Sequence, residues 1–310
     1  MLPRRNVLIF HLGALGDFIL TWPLALALGR IYPQSRIYYV THQQKGALAE
    51  KVLRIESADI EGGWHHLFAP DLPAAGLPDP ANRLLASAHS VFSFLSDGQD
   101  AWAENVKRLA PEAELTVLRG PRALGLPPAD ALLAELATRP VVQTAVSQML
   151  SSIASRGVGF RRAPDGSVVI HPGAGSPAKC WPLERFVDLG RRFRAEGRAV
   201  RFVIGETERE RWPAGQVDGL RGVGEVVEPA NYLQLLDALQ PASLFVGNDS
   251  GPGHLAGMIG VPTFSIFGPT DPNLWKALGP SVRVMREESL EALSAERAYE
   301  WIVGGLGKPE

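Results

Sequence analysis

Residues 243–270, SLFVGNDSGPGHLAGMIGVPTFSIFGPT, hold the fold of this chain in miniature. SLFVG (243–247) is apolar without alternation, as a strand buried on both faces must be. It stops at an acid, Asp249. A turn of small residues then opens the helical pattern GHLAGMIG, and TFSIF (263–267) is a second apolar strand. A helix start of this kind presents free N–H groups and a positive dipole end, so it is a ready anion site, with phosphate the anion most often met. The alternative is an ordinary turn in which Asp249 or Ser250 caps the helix.

The same grammar extends in both directions. Further strand candidates are NVLIF (6–10), RIYYV (36–40), SVFSFL (90–95), LTVL (115–118), SVVIH (167–171) and AVRFVI (199–204). Helical patterns such as LERFVDLGRRFRAEG and NYLQLLDALQ lie between strands. This alternation predicts an α/β protein of parallel sheets with helices on both faces. The pattern restarts near residue 166, after a helical stretch over about 129–155 and the polar turn from Arg161 to Gly166. That places the domains at 1–160 and 161–310. Two such halves facing each other would leave a cleft lined by the carboxyl ends of strands, where open sheets take ligands. Residues 62–82 are rich in Gly and Pro and read as a long loop, functional or mobile. A final helix over 287–303 is expected to pack back on the first domain.

Composition narrows the function classes. The chain has 310 residues, 45% hydrophobic and 21% charged, with net charge −2. That suits about two globular domains and gives no basic field for nucleic acid. Arg191, Arg192, Arg194, Arg198 and Arg201 are expected to line the wet face and end of one helix. The single cysteine, Cys180, excludes an intramolecular disulfide framework and fits a reducing cytoplasm. The apolar run VLIF before His11 is too short for a signal-peptide core, and no run of 18 apolar residues exists to span a membrane.

Four places could carry chemistry. Directly after the first strand, His11-Leu12-Gly13-Ala14-Leu15-Gly16-Asp17 sets two glycines where backbone can approach a ligand closely. Asp17 there is either a base or a helix cap. The second place is His171-Pro172-Gly173-Ala174-Gly175-Ser176-Pro177-Ala178-Lys179-Cys180-Trp181-Pro182. Small residues expose N–H groups to an anion and Lys179 adds a point charge. Trp181 is expected in the core, His171 as a structural histidine, and Cys180 as a packed thiol whose pKa Lys179 could lower. The third is Gly205-Glu206-Thr207-Glu208, where a carboxylate at a strand end could hold two ribose hydroxyls or simply charge a helix start. The fourth is the opening turn, with Asp249, Ser250, Gly251 and His254.

Absences count as well. No Asp-x-Asp occurs, so the usual acidic metal clamp for a nucleotide diphosphate is missing, and the histidines show no metal-ligand spacing. His65 and His66 read as surface residues. The chain has neither a Gly-x-x-x-x-Gly-Lys-[Ser/Thr] loop nor a Gly-x-Ser-x-Gly elbow. The glycine pattern after the first strand is not Gly-x-Gly-x-x-Gly, and no acid closes the second strand, which argues against NAD. A bound diphosphate would be neutralised by amides, a helix dipole, Lys179 and His254.

VLIFHLGALGDFILTWPLALALGRIYP, HPGAGSPAKCWP and VGNDSGPGHLAGMIGVPTFSIFGPTDPNLW together resemble glycosyltransferase family 9, the ADP-heptose:lipopolysaccharide heptosyltransferases and their relatives. The motifs stand in family order and touch both halves of the chain. The resemblance implies a GT-B fold of two Rossmann-like domains, an inverting reaction, no cofactor and no obligatory metal. It implies Asp17 as general base and Lys179 on donor phosphate. Gly173, Ala174, Gly175 and Ser176 would offer backbone, the alanine and following glycine standing where some members carry two threonines. Asp249 would lie near the donor sugar, with Ser250, Gly251 and His254 in the phosphate-binding turn. Glu206 or Glu208 would take ribose, and Ala230 would touch adenine through backbone. His11, with Gly13 and Gly16, falls on the acceptor side, at a position where many members carry Lys or Arg. The partners implied are a nucleotide-sugar donor and a glycan or lipid-linked acceptor. Membrane contact would be peripheral at most, on the cytoplasmic face. Alternatives are a sugar-nucleotide epimerase on the same fold and a non-catalytic nucleotide-sugar-binding protein.

Overall fold

The computed structural model describes residues 5–72 and 76–306. The chain divides into two compact units, 1–151 and 152–310, each built on one parallel sheet. In the first unit the strands are β1 (Asn6–Phe10), β2 (Arg36–Thr41), β3 (Glu56–Asp59), β4 (Ala88–Ser93) and β5 (Glu114–Val117). Their order across the sheet is β3-β2-β1-β4-β5. β1 is central and wholly buried. The order reverses between β1 and β4, and the loop from His11 to Ala14 leaves the sheet at that point. A crevice outside the carboxyl ends at such a switch point is the general ligand position of open α/β sheets. Beneath it Phe10 meets Trp64 and Trp102 edge-on, with centroids 5.3 and 5.0 Å apart.

Among the described residues the second unit has six strands: β6 (Val168–His171), β7 (Val200–Val203), β8 (Glu225–Val227), β9 (Leu244–Asn248), β10 (Thr263–Phe267) and β11 (Val282–Arg286). They run β11-β10-β9-β6-β7-β8 across the sheet. Here the order reverses between β6 and β9, which pair in parallel from Val168↔Leu244 to His171↔Gly247. The loops that follow these two strands therefore emerge side by side. The final helix runs Ala295–Leu306 and is held by its own unit. Trp301 stands edge-on to Phe264 of β10 at 5.0 Å, and Tyr299 lies 5.4 Å from Phe193 of the Leu183–Ala195 helix.

Several expectations shift. β3, β8 and β11 add to the strands expected from sequence; all are sheet edges, and ESAD and EVV lack the length or apolar run of a central strand. The helical stretch at 129–155 is two helices, Pro128–Glu135 and Pro140–Arg156, the second opened by its proline. The expected loop at 62–82 supplies the 3-10 turn Trp64–Phe68, and Trp64 and Leu67 belong to the first core; residues 73–75 lie outside the described residues. The division falls inside the Pro140–Arg156 helix rather than at the Arg161–Gly166 turn. The stretch after it is already bound to the second unit, for Val158 N–H donates to Met258 and Arg161 donates to the carbonyls of Gly260 and Ala242. The arginine cluster is structural in part: Arg194 caps the Val223 carbonyl and Arg201 pairs with Asp165 and Glu225.

Candidate functional site

The second unit assembles its polar residues at the β6/β9 switch. Asn248, the last residue of β9, is fully buried. A polar side chain in so apolar a place has to be hydrogen-bonded. Its Oδ1 accepts from Trp181 N–H at 3.0 Å, and its Nδ2 donates to the carbonyls of Pro172 at 2.8 Å and Gly173 at 3.3 Å. One amide thus ties the loop after β6 to the end of β9. Trp181 is itself in the core, its indole N–H on the Leu293 carbonyl.

Asp249 follows, 8% exposed. Its Oδ2 receives Lys179 Nζ at 2.7 Å and the Thr270 hydroxyl at 2.9 Å. Lys179 arrives from the 3-10 turn Pro177–Lys179, and Thr270 from the loop after β10. Asp249 is therefore not a helix cap. Ser250 occupies the N-cap position of the Gly251–Ile259 helix, yet its hydroxyl makes no capping bond and is buried without a hydrogen-bond partner among the described residues. His254, one turn into that helix, is 6% exposed and its Nδ1 likewise has no partner among the described residues. Burial lowers the His254 pKa to about 4; Asp249 opposes the shift and Lys179 adds to it. The imidazole is thus neutral at physiological pH. Positive charge here comes from Lys179 and the helix start, with two unsatisfied polar atoms beside them.

The other expected donor residues are placed less uniformly. Ala174 is buried while Gly175 is exposed and Ser176 is half-buried. Glu206 and Glu208 begin the Glu206–Arg211 helix but differ. Glu206 is exposed, whereas Glu208 is 5% exposed and its Oε2 accepts from Gly205 N–H at 2.8 Å. Glu208 also lies over Gly173, where an added Cβ would stand 2.0 Å from Oε1. Gly173 is needed for that space, not for an unusual backbone angle. Ala230 is exposed and its N–H already donates to Gln234 Oε1 at 2.9 Å. His171 is buried with Nδ1 on the Val203 carbonyl at 2.9 Å, a structural role. The Cys180 thiol is pushed up, first by burial and then by Glu208, so Lys179 does not activate it.

In the first unit Ala14, not Asp17, holds the N-cap position of the Leu15–Leu20 helix, so the capping role is corrected. Asp17 is in the first turn, half-buried, where the helix dipole favours a negative charge. His11 is buried beside Phe18 and Phe94. Burial, and secondarily Lys45, lower its pKa to about 3. It therefore brings no cation to this loop. Gly13 is exposed and leaves room for it, since a Cβ there would stand 2.9 Å from His11 Cε1. Gly16 is half-buried one residue ahead of Asp17.

Sequence reasoning missed Asn248, Thr270 and Lys45. The first two had a signal: a polar residue closing an apolar strand, and a hydroxyl just past the next strand's carboxyl end. Lys45 had none.

The family model for glycosyltransferase family 9 (heptosyltransferase) matches residues 97–300, which include Lys179, Asn248, Asp249, His254 and Thr270 but not Asp17. Lipopolysaccharide heptosyltransferase 1 of Pseudomonas aeruginosa is 36% identical over 104 residues, 33% of this chain and 29% of that protein. Lipopolysaccharide heptosyltransferase 3 of Escherichia coli K12 is 28% identical over 124 residues, 36% of this chain and 33% of that protein. The matches thus span about a third of the length of these curated relatives. Among solved structures, E. coli heptosyltransferase WaaC with ADP gives a TM-score of 0.67 at 18% identity, covering 97% of this chain and 99% of that chain. The fold is the GT-B fold of such enzymes, two parallel-sheet α/β domains. On a family match that takes in most of its length, the chain belongs to glycosyltransferase family 9.

Proposed function

We propose that the protein is an inverting glycosyltransferase that moves a heptose, or a related sugar, from an ADP-sugar to a hydroxyl of a lipopolysaccharide-core or similar glycan acceptor. The observation that carries this reading is the cluster at the β6/β9 switch. Among the described residues it holds one lysine, one helix start and two unsatisfied buried polar atoms, Ser250 Oγ and His254 Nδ1. That set suits a diphosphate. Support comes from family membership and from the ADP that accompanies E. coli heptosyltransferase WaaC in its solved structure.

In this reading the ionised Asp17 carboxylate accepts the proton of the acceptor hydroxyl. That oxygen forms its bond to the anomeric carbon as the bond from that carbon to the phosphate oxygen breaks. ADP departs with the bonding pair, and the proton stays on Asp17 until it passes to solvent. Charge growing on the diphosphate meets Lys179, the loop amides at 173–176 and the start of the 251–259 helix. Preorganised donors of this kind often supply the largest catalytic contribution. Phosphate oxygens would compete with Asp249 for Lys179, which frees the carboxylate toward sugar hydroxyls. No metal is required by this charge balance. A lipid-linked acceptor would bring the protein to a membrane surface; among the described residues no helix is long and apolar enough to cross one.

The test is Asp17→Asn in single-turnover assays with ADP-heptose and a lipopolysaccharide-core acceptor. Turnover should fall roughly 10²–10⁴-fold while ADP affinity and melting temperature barely change. Near-normal turnover would remove Asp17 from the mechanism. Calorimetric preference for UDP over ADP would overturn the donor.

A further inference from the structure

Lys45 breaks local rules. It is only 5% exposed, although lysine is among the residues least often buried. It is the third residue of the Gln43–Leu53 helix, at the positive end of the dipole, where a cation is unfavourable. Burial lowers its pKa, and the charge of Asp17 opposes that shift. A residue kept against dipole and solvation has its reason elsewhere.

The geometry supplies one. Lys45 Nζ donates to the Gly13 carbonyl at 2.6 Å and to the Leu12 carbonyl at 3.2 Å. It lies 6.0 Å from the centroid of Phe18, the residue after Asp17. Its bonds therefore hold the loop that joins β1 to the helix bearing Asp17. The helix of Lys45 is itself fixed closely. Gly46, the next residue, packs on β3 so tightly that a Cβ would stand 2.6 Å from Ser57 Oγ. The titratable groups that face the ammonium are Asp17 on the Leu15–Leu20 helix and His11 at the end of β1. With His11 neutral, Lys45 is the cation of this cluster. The attraction that Asp17 exerts on it acts equally in reverse and favours the ionised carboxylate.

We propose that Lys45 is a positioning residue for Asp17: it clamps the carbonyls of residues 12 and 13 and holds the carboxylate oriented and ionised for proton transfer. The proposal rests on the reading of Asp17 as the base.

The experiment uses the full chain with 13C-labelled aspartate, the Asp17 resonance being identified by its loss in Asp17→Asn. Lys45→Gln keeps a hydrogen-bond donor and removes the charge; Lys45→Arg keeps the charge. The Asp17 titration midpoint should rise by about one pH unit in Lys45→Gln and stay near wild type in Lys45→Arg. The acid limb of the pH–rate profile should move with it. Single-turnover rate in Lys45→Gln should fall roughly 10- to 100-fold, as a small misplacement of a reacting group predicts, with ADP affinity unchanged. An unmoved midpoint in Lys45→Gln overturns the proposal and leaves Asp17 as base. Near-normal turnover in Asp17→Asn overturns the base reading, whatever the midpoint does. If Lys45→Gln does not fold, a midpoint in Lys45→Arg displaced as far as one unit upward overturns the proposal, and a midpoint at the wild-type value supports it.

Discussion

The Lys179–Asp249 pair makes a prediction that needs no acceptor. Its two partners are unequally buried: the Lys179 side chain is 29% exposed and that of Asp249 7%. Lys179→Met would strand a nearly buried carboxylate with, among the described residues, only the Thr270 hydroxyl left to it. Loss of one partner of a fully buried pair costs about 3–5 kcal/mol; the partial exposure of the lysine puts this one lower, at about 2 kcal/mol. Asp249→Asn keeps the size and the bond from Thr270, and the freed lysine can turn to water, so about 1 kcal/mol is expected. The double variant lacks the stranded charge. It should cost less than the two single changes combined, by at least about 1 kcal/mol, where independent sites add to within roughly 0.5 kcal/mol. Chemical denaturation of the four proteins, followed by a probe in the second unit, measures the cycle. The same four titrated with ADP should show Lys179→Met weakened about 10- to 100-fold, the size of a charge-assisted hydrogen bond. Additivity within about 0.5 kcal/mol would show that the contact carries no energy. ADP affinity unchanged in Lys179→Met would show that the lysine is not a phosphate contact.

Three other outcomes are expected. Asn248→Ala removes three hydrogen bonds in a buried place and should destabilise the second unit by about 2–4 kcal/mol, with ADP binding weakened in parallel; calorimetry showing intact binding would mean the loops hold each other without it. His11 and His254 have folded pKa values of about 3 and about 4, below the unfolded value, so the unfolded chain binds more protons and stability falls as pH drops from about 6.5 toward those values. His11→Leu removes one of these titrations, and its melting temperature should depend less steeply on pH between about 6.5 and 4 than wild type; equal slopes would exclude His11 as a cause. Transfer should survive excess EDTA, and activity abolished by chelation and restored by magnesium would contradict the charge balance proposed for the leaving diphosphate.

How far the sequence could be read followed burial. Inner strands were visible because NVLIF and SLFVG are short runs apolar on nearly every position, and TFSIF, with Thr263 and Ser265 on one face, is still apolar enough to admit few other readings. Edges such as ESAD at 56–59 were invisible, since one strand partner and a wet side remove the apolar signature. For the site, the loops could be found and their connections could not. Lys179 and Asp249 stand 70 residues apart, and only the parallel pairing of β6 with β9 brings them together. Lys45 sits in QQKGALAEKVL, a stretch that looks solvent-facing, and nothing local shows that its third position turns inward.

The amide of Asn248 has a further consequence. Because it grips Pro172, Gly173 and Trp181 at once, and β6 and β9 are paired up to the residues just before it, the spacing of the two loops is set before any ligand arrives. On the proposed reading, the second unit would therefore act as a fixed calliper. A ligand that fits has no loop to order, and the entropy of ordering one is not subtracted from its affinity. A ligand of another span gains nothing from the loops adapting to it. Discrimination between diphosphates and smaller anions would then lie in the dissociation rate, with association close to that of a preformed site.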